Sequence, residues 1–212
     1  FHKPKYFDFR PQLCAHGAMG VVGCTRCLDV CSATAIRSTG EKIAVDPFLC
    51  QGCASCTLAC PTGALSFLLP TQQDLQNSLD RVLAESAADG EAHFLVVHDA
   101  ASRHLLHPIE AGGAVLFEAN PLSAFSESSC LSALLCGIRG VVLVMAPATP
   151  AESRSLLEQT VSELRAIIIS LGGTATSLQI ATPEDVDGAI ERLAGASLPP
   201  TLIAAIPANT SD

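Results

Sequence analysis

Apolar and polar positions follow one rhythm before about residue 90 and another after it. From Ala92 onward, short apolar runs alternate with longer stretches of helical period. The runs are Phe94–Val97, Ala114–Phe117, Val141–Met145, Leu178–Ile180 and Leu202–Ile206, and each predicts a strand. A helix is expected from Glu127 to Ile138, ending before Gly140. Thr149-Pro150-Ala-Glu152 reads as a capping box with proline at the first helical position, its helix stopping at Gly172-Gly173. Thr182-Pro183-Glu-Asp185 repeats the device, with a stop near Gly195. Strands alternating with helices imply parallel pairing and helices on both faces, a small three-layer α/β domain over residues 92–212. Ahead of it, residues 71–91 read as a linker helix packing on one of the domains. Leu75, Leu79, Val82 and Leu83 share a face, and Thr71 is a candidate N-cap with Asp74 three residues on.

Residues 1–70 lack that rhythm and carry cysteines instead. Cys50-Gln-Gly-Cys53-Ala-Ser-Cys56-Thr-Leu-Ala-Cys60-Pro61 has the spacing C-x2-C-x2-C-x3-C-P. Four thiolates must converge on the corners of a small iron–sulfur cube, so three come from one tight loop while the fourth is too far along to join them. On this reading Cys60 begins a helix and ligates a second cluster, with Pro61 in the first helical turn. A zinc ribbon separates its two C-x2-C pairs and has no use for two further cysteines so close. A disulfide framework expects a small secreted chain.

A degenerate second motif supplies the partner. Cys24-Thr-Arg-Cys27-Leu-Asp-Val-Cys31 is the last three-quarters of the same pattern, and Cys31-Ser-Ala-Thr-Ala-Ile36 matches Cys60-Pro-Thr-Gly-Ala-Leu65, an internal duplication. The pattern's first cysteine would fall at Val21. Cys14 is the favoured replacement, because Gly17, Gly20 and Gly23 let the chain fold back. The alternatives are a three-iron cluster lacking that ligand, or His16 as donor.

Residues 10–68 thereby resemble the bacterial two-cluster ferredoxins, whose fold is a pseudo-symmetric βαβ–βαβ unit. The resemblance departs in the displaced first cysteine and in Ser32, where proline is usual. It implies an α+β ferredoxin-like domain over residues 1–70 with two [4Fe-4S] clusters and crossed ligation. One cluster would take Cys14, Cys24, Cys27 and Cys60, the other Cys31, Cys50, Cys53 and Cys56.

Charge divides the chain in the same place. Residues 1–70 hold six basic side chains (Lys3, Lys5, Arg10, Arg26, Arg37, Lys42) against four acidic ones (Asp8, Asp29, Glu41, Asp46), a surplus of +2. The whole chain carries −9, which leaves −11 for the remainder and argues against nucleic-acid binding. The core is aliphatic, with one Tyr and no Trp. No signal peptide opens the chain and no apolar run reaches membrane-spanning length, so a cytoplasmic protein without direct membrane insertion is expected. A start at Phe1 suggests processing or a piece of something longer.

The second domain, flavodoxin-like in outline, shows no G-x-G-x-x-G and no Walker lysine. His93, His98, His104 and His107 do not have zinc spacing and read as surface and core histidines. Cys130 and Cys136 read as core packing. Strand order and the run Ser132–Met145 make residues 92–195 similar to the delta subunit of methyl-viologen-reducing hydrogenase, a cluster-bearing adaptor. Where that family places cysteines, this chain has Val97-His98-Asp99, Phe117-Glu118-Ala119 and Ala146-Pro147-Ala148. The resemblance implies a scaffold without its own cluster.

Two functions are therefore in view. The first is single-electron transfer to or from a partner oxidoreductase of dehydrogenase or hydrogenase type, with formate dehydrogenase the leading guess. The second is a redox enzyme whose α/β domain binds a small cofactor or substrate fed by the clusters, through the loops at Val97–Ser102 and Glu118–Ser123.

Overall fold

The computed structural model describes residues 3–17, 23–88, 93–109 and 112–196. The fifth expected strand, Leu202–Ile206, lies outside them, as do Gly20 and Val21.

Strand β1 (Phe7–Phe9), helix α1 (Arg26–Asp29), strands β2 (Ile36–Ser38) and β3 (Ile43–Val45), helix α2 (Ser55–Leu58) and strand β4 (Leu65–Phe67) make a small ferredoxin-like region. β1 pairs antiparallel with β4, Phe7 opposite Phe67, and β2 with β3, Ile36 opposite Val45. Such short two-stranded ribbons are not stable alone. Their inward side chains Phe7, Ile36, Ile43 and Leu65 pack together with Cys27, and five further cysteines lean on this cluster.

Helix α3 (Gln72–Ala88) follows, and its cap forms as expected. The Thr71 hydroxyl accepts from the Asp74 N–H at 3.1 Å, and the Asp74 carboxylate accepts from the Thr71 N–H at 3.3 Å. Leu75, Leu79 and Leu83 face inward at helical spacing, Leu79 with no exposure at all.

Beyond it run β5 (Phe94–His98), α4 (Ala100–Arg103), β6 (Ala114–Glu118), α5 (Glu127–Leu135), β7 (Gly140–Val144), α6 (Ala151–Ser170), β8 (Leu178–Ala181) and α7 (Val186–Leu193). The four strands form one parallel sheet in the order β6-β5-β7-β8. Every residue of β5 and β7 is buried, so these strands read as unbroken apolar runs. Alternate side chains divide between two cores. Leu95, Val97, Val141 and Leu143 face α3, α5 and α6, whereas Phe94, Val96, Val142 and Val144 face Val186, Ala189, Ile190 and Leu193 of α7. The first core continues into the ferredoxin-like region through Ala54, Leu58 and Phe67.

Four local expectations need correction. No helix follows Cys60: α2 ends two residues earlier, and Pro61 lies in a turn closed by the Gly63 N–H on the Cys60 carbonyl at 3.4 Å. Helix α6 has no capping box. Pro150 stands at its N-cap in an extended conformation (φ −55°, ψ 146°), and the preceding Thr149 is bound to the Ala146 carbonyl instead. The third concerns Thr182-Pro183, which opens a 3-10 turn (Pro183–Asp185) before α7 starts. The fourth is Cys136, which lies just past the end of α5 and is exposed, while Cys130 is buried as expected.

Candidate metal centre

The eight N-terminal cysteines gather around two small cavities. Cys14, Cys24, Cys27 and Cys60 line one, of about 20 Å³, and Cys31, Cys50, Cys53 and Cys56 line the other, of about 30 Å³. Each set draws three thiols from one half of the duplication and one from the other.

Local chemistry explains the second set. The Asp46 carboxylate accepts from the N–H groups of Phe48 at 2.8 Å and Leu49 at 3.3 Å, a turn that delivers Cys50. Gly52 (φ +70°) and Ala54 (φ +59°) then bend the chain tightly enough for Cys50, Cys53 and Cys56 to face one point. A side chain at Gly52 would run into the Tyr6 ring. Cys31 arrives from the end of α1, and its sulfur accepts from the Ala35 N–H at 3.3 Å.

The first set depends on a folded-back segment. Gly23 N–H donates to the His16 carbonyl at 2.7 Å and Cys24 N–H to the Ala15 carbonyl at 3.3 Å, which lays the chain around Cys14 alongside Cys24. Gly17 presses so closely on the Glu41 carbonyl that no side chain fits there. His16 is buried, its Nδ1 hydrogen-bonded to the Cys24 carbonyl and its Nε2 to the Ser38 hydroxyl, each at 2.8 Å. It does not line the cavity. Cys14 does.

Burial is the first influence on the thiols it shifts. Burial, then the neighbouring Cys14, Cys24 and Cys60, push the Cys27 thiol up to about 11. Burial and Cys53, Cys50 and Cys31 raise Cys56 still further. Cys60 goes the other way: burial alone would raise it, but hydrogen bonds from Leu65, Thr62 and Ala64 outweigh that and lower it. Four thiolates cannot share so small a space without a metal to neutralise them, and binding one expels their protons. Among the described residues no three His, Cys, Asp or Glu side chains converge on a single ion. The thiols line the two cavities instead.

The two regions meet beside the second set. The Ser55 hydroxyl, at the start of α2, shares a hydrogen bond of 2.8 Å with the Ser153 hydroxyl of α6, both buried. Nothing local foretells this contact, since the partners are 98 residues apart. The histidines of the α/β part stay separate: His98 is buried at the end of β5, while His104 and His107 are exposed.

Residues 22–64 match the family model of the 4Fe-4S dicluster domain, which makes this part of the chain an iron–sulfur region of ferredoxin type. Cys14 lies ahead of the matched span. No curated protein matches the chain. Among the described residues no helix is long and apolar enough to cross a membrane.

Proposed function

We propose that the chain relays single electrons through two [4Fe-4S] clusters to or from a partner oxidoreductase. The observation that carries this reading is the sorting of eight thiols into two foursomes, each drawn from both halves of the duplication. Cys14, Cys24, Cys27 and Cys60 hold one cluster, and Cys31, Cys50, Cys53 and Cys56 the other. Each cluster, when bound, supplies a one-electron couple. The protein holds it in an apolar shell of Phe7, Ile36, Ile43 and Leu65 and donates N–H groups to its sulfurs, as Ala35 does to Cys31, and these tune its potential.

The α/β part belongs to the same proposal as a docking scaffold. The −11 charge of residues 71–212 suits a partner with a basic patch, of dehydrogenase or hydrogenase type, in the cytoplasm. Formate dehydrogenase stands first among those partners. A second reading, an enzyme fed by the clusters, is favoured by one feature: a cavity in the α/β part that Cys53 also lines.

Anaerobic purification followed by iron and sulfide analysis and electron paramagnetic resonance tests the relay. About eight irons and two reduced signals are expected. About four irons with one signal would overturn the two-cluster assignment.

A further inference from the structure

That cavity lies outside the carboxyl ends of the parallel strands and measures about 170 Å³. Asp99 follows β5, Ser123 follows β6, and Thr149 and Ser153 bracket the start of α6. Cys53 closes the cavity from the other region. In the sheet β5 lies between β6 and β7, so the chain leaves it to one side and returns on the other. The crevice at such a reversal is where open α/β sheets take up ligands.

Three polar features face this space. Ser123 is only 5% exposed, yet its hydroxyl makes no hydrogen bond to any described residue. Its oxygen is not among the sealed, unpaired hydroxyls of the described residues, of which Ser177 is one, but opens on the cavity, where the hydroxyl is free to donate to a ligand. Helix α6, 20 residues long, opens here without a side-chain cap, and its first-turn N–H groups have no acceptor within the helix. Those groups and the helix dipole favour a carboxylate. Asp99 is the third. Its Oδ1 accepts from the N–H and the hydroxyl of Ser102, both at 2.8 Å, while Oδ2 carries no hydrogen bond to any described residue. No Lys, Arg or His lines the cavity.

One end of the cavity therefore favours negative charge and another positive. A plain anion would face Asp99, and a plain cation would face the positive end of α6, where the Arg154 guanidinium also donates to the carbonyl of the lining residue Ala146 at 3.2 Å. The volume is roughly that of six water-sized groups, and well under the ~300–1,000 Å³ of pockets for larger ligands. We propose that this cavity binds a small zwitterion of the amino-acid type. Its carboxylate lies on the Ser123 hydroxyl and the α6 N–H groups, its ammonium on Asp99. The proposal goes beyond the electron relay: Ser123, Asp99 and the start of α6 all belong to the α/β part, and the ferredoxin-like region contributes one wall through Cys53.

Isothermal titration calorimetry on the full, anaerobically purified chain tests it, with glycine, L-alanine and L-serine against propionate and ethylamine. One amino acid should bind 1:1, about tenfold or more tighter than propionate or ethylamine, a difference worth ~1.4 kcal/mol. Ser123→Ala and Asp99→Asn should each weaken that binding about tenfold or more. Asparagine keeps the Oδ1 acceptor for Ser102. Should Asp99→Asn nevertheless melt early, Ser123→Ala decides. No heat from any amino acid at ~10 mM, propionate binding as tightly as the amino acid, or undiminished binding by a folded Ser123→Ala protein would each overturn the proposal. Visible and resonance spectra of the same samples keep the two proposals apart. Intact clusters without binding defeat the cavity alone, and a colourless protein that still binds defeats the relay alone.

Discussion

In the ferredoxin-like region, four three-residue strands and two four-residue helices enclose Phe7, Cys27, Ile36, Ile43 and Leu65, with Cys14, Cys31, Cys50, Cys56 and Cys60 packed against them. In the α/β region, the sheet buries Leu95, Val97, Val141 and Leu143 on one face and Phe94, Val96, Val142 and Val144 on the other. The second arrangement supplies its own driving force by removing apolar surface from water. The first cannot, because its core is as much thiol as hydrocarbon and its ribbons are too short to stand alone. What the α/β region gains from burial, the ferredoxin-like region must gain from metal–thiolate bonds.

The largest test of this contrast is removal of iron. Chelation under anaerobic conditions should abolish amide-exchange protection in β1 to β4 while β5 and β7 stay protected, as read by mass spectrometry. Protection kept in β1–β4 would show that burial suffices there too. Next comes Cys14→Ser, which should cut iron from about eight to about four per chain, or leave a three-iron signal, with the Cys50 set intact. Unchanged spectra would mean that the ligand lies elsewhere. On helix α3, which packs on the parallel sheet, Leu79→Ala should cost about 2–5 kcal/mol in thermal or denaturant unfolding while iron per folded molecule stays the same. A proportional loss of iron would erase the contrast and make the two regions one cooperative unit. Ser153→Ala leaves the buried Ser55 hydroxyl unpaired and should cost about 1–3 kcal/mol, with a change in the resonance signal of the Cys50 set alone. Thr71→Ala, which removes half of the α3 cap, should cost about 1 kcal/mol and alter no signal.

The sequence made visible whatever is settled within a few residues. The strand runs Phe94–Val97 and Ala114–Phe117 extend by one residue each in the structure, because continuous apolar runs between turns leave a buried strand little freedom. Thr71 and Asp74 cap as their spacing says, and the C-x2-C-x2-C spacing brings Cys50, Cys53 and Cys56 to one cavity because loop geometry is local, whereas the fourth thiol of each set comes from the other half of the duplication. Errors arose where one residue serves two contexts. Thr149-Pro150 has the letters of a capping box, but the turn bond from Thr149 to Ala146 keeps the proline outside the helix. Cys136 falls inside the helix expected to reach Ile138, but the helix ends at Leu135 and leaves it in solvent. The Ser55–Ser153 bond and the cavity beside Cys53 come from docking two distant segments, and no spacing rule reaches so far.

The crossed pairing of the thiols also fixes when they can be filled as the chain is made. The first foursome holds Cys14, Cys24 and Cys27 early but lacks its fourth member until Cys60 is synthesised. The other waits for Cys56, only four residues before that. A nascent chain stopped anywhere short of that point presents up to seven thiols and at most one complete site. Both thiol sets are thus completed almost together, late in the synthesis of the first region and before any strand of the parallel sheet exists. If these sites take clusters, loading can begin on a chain still growing, before helix α6 arrives to set Ser153 against Ser55.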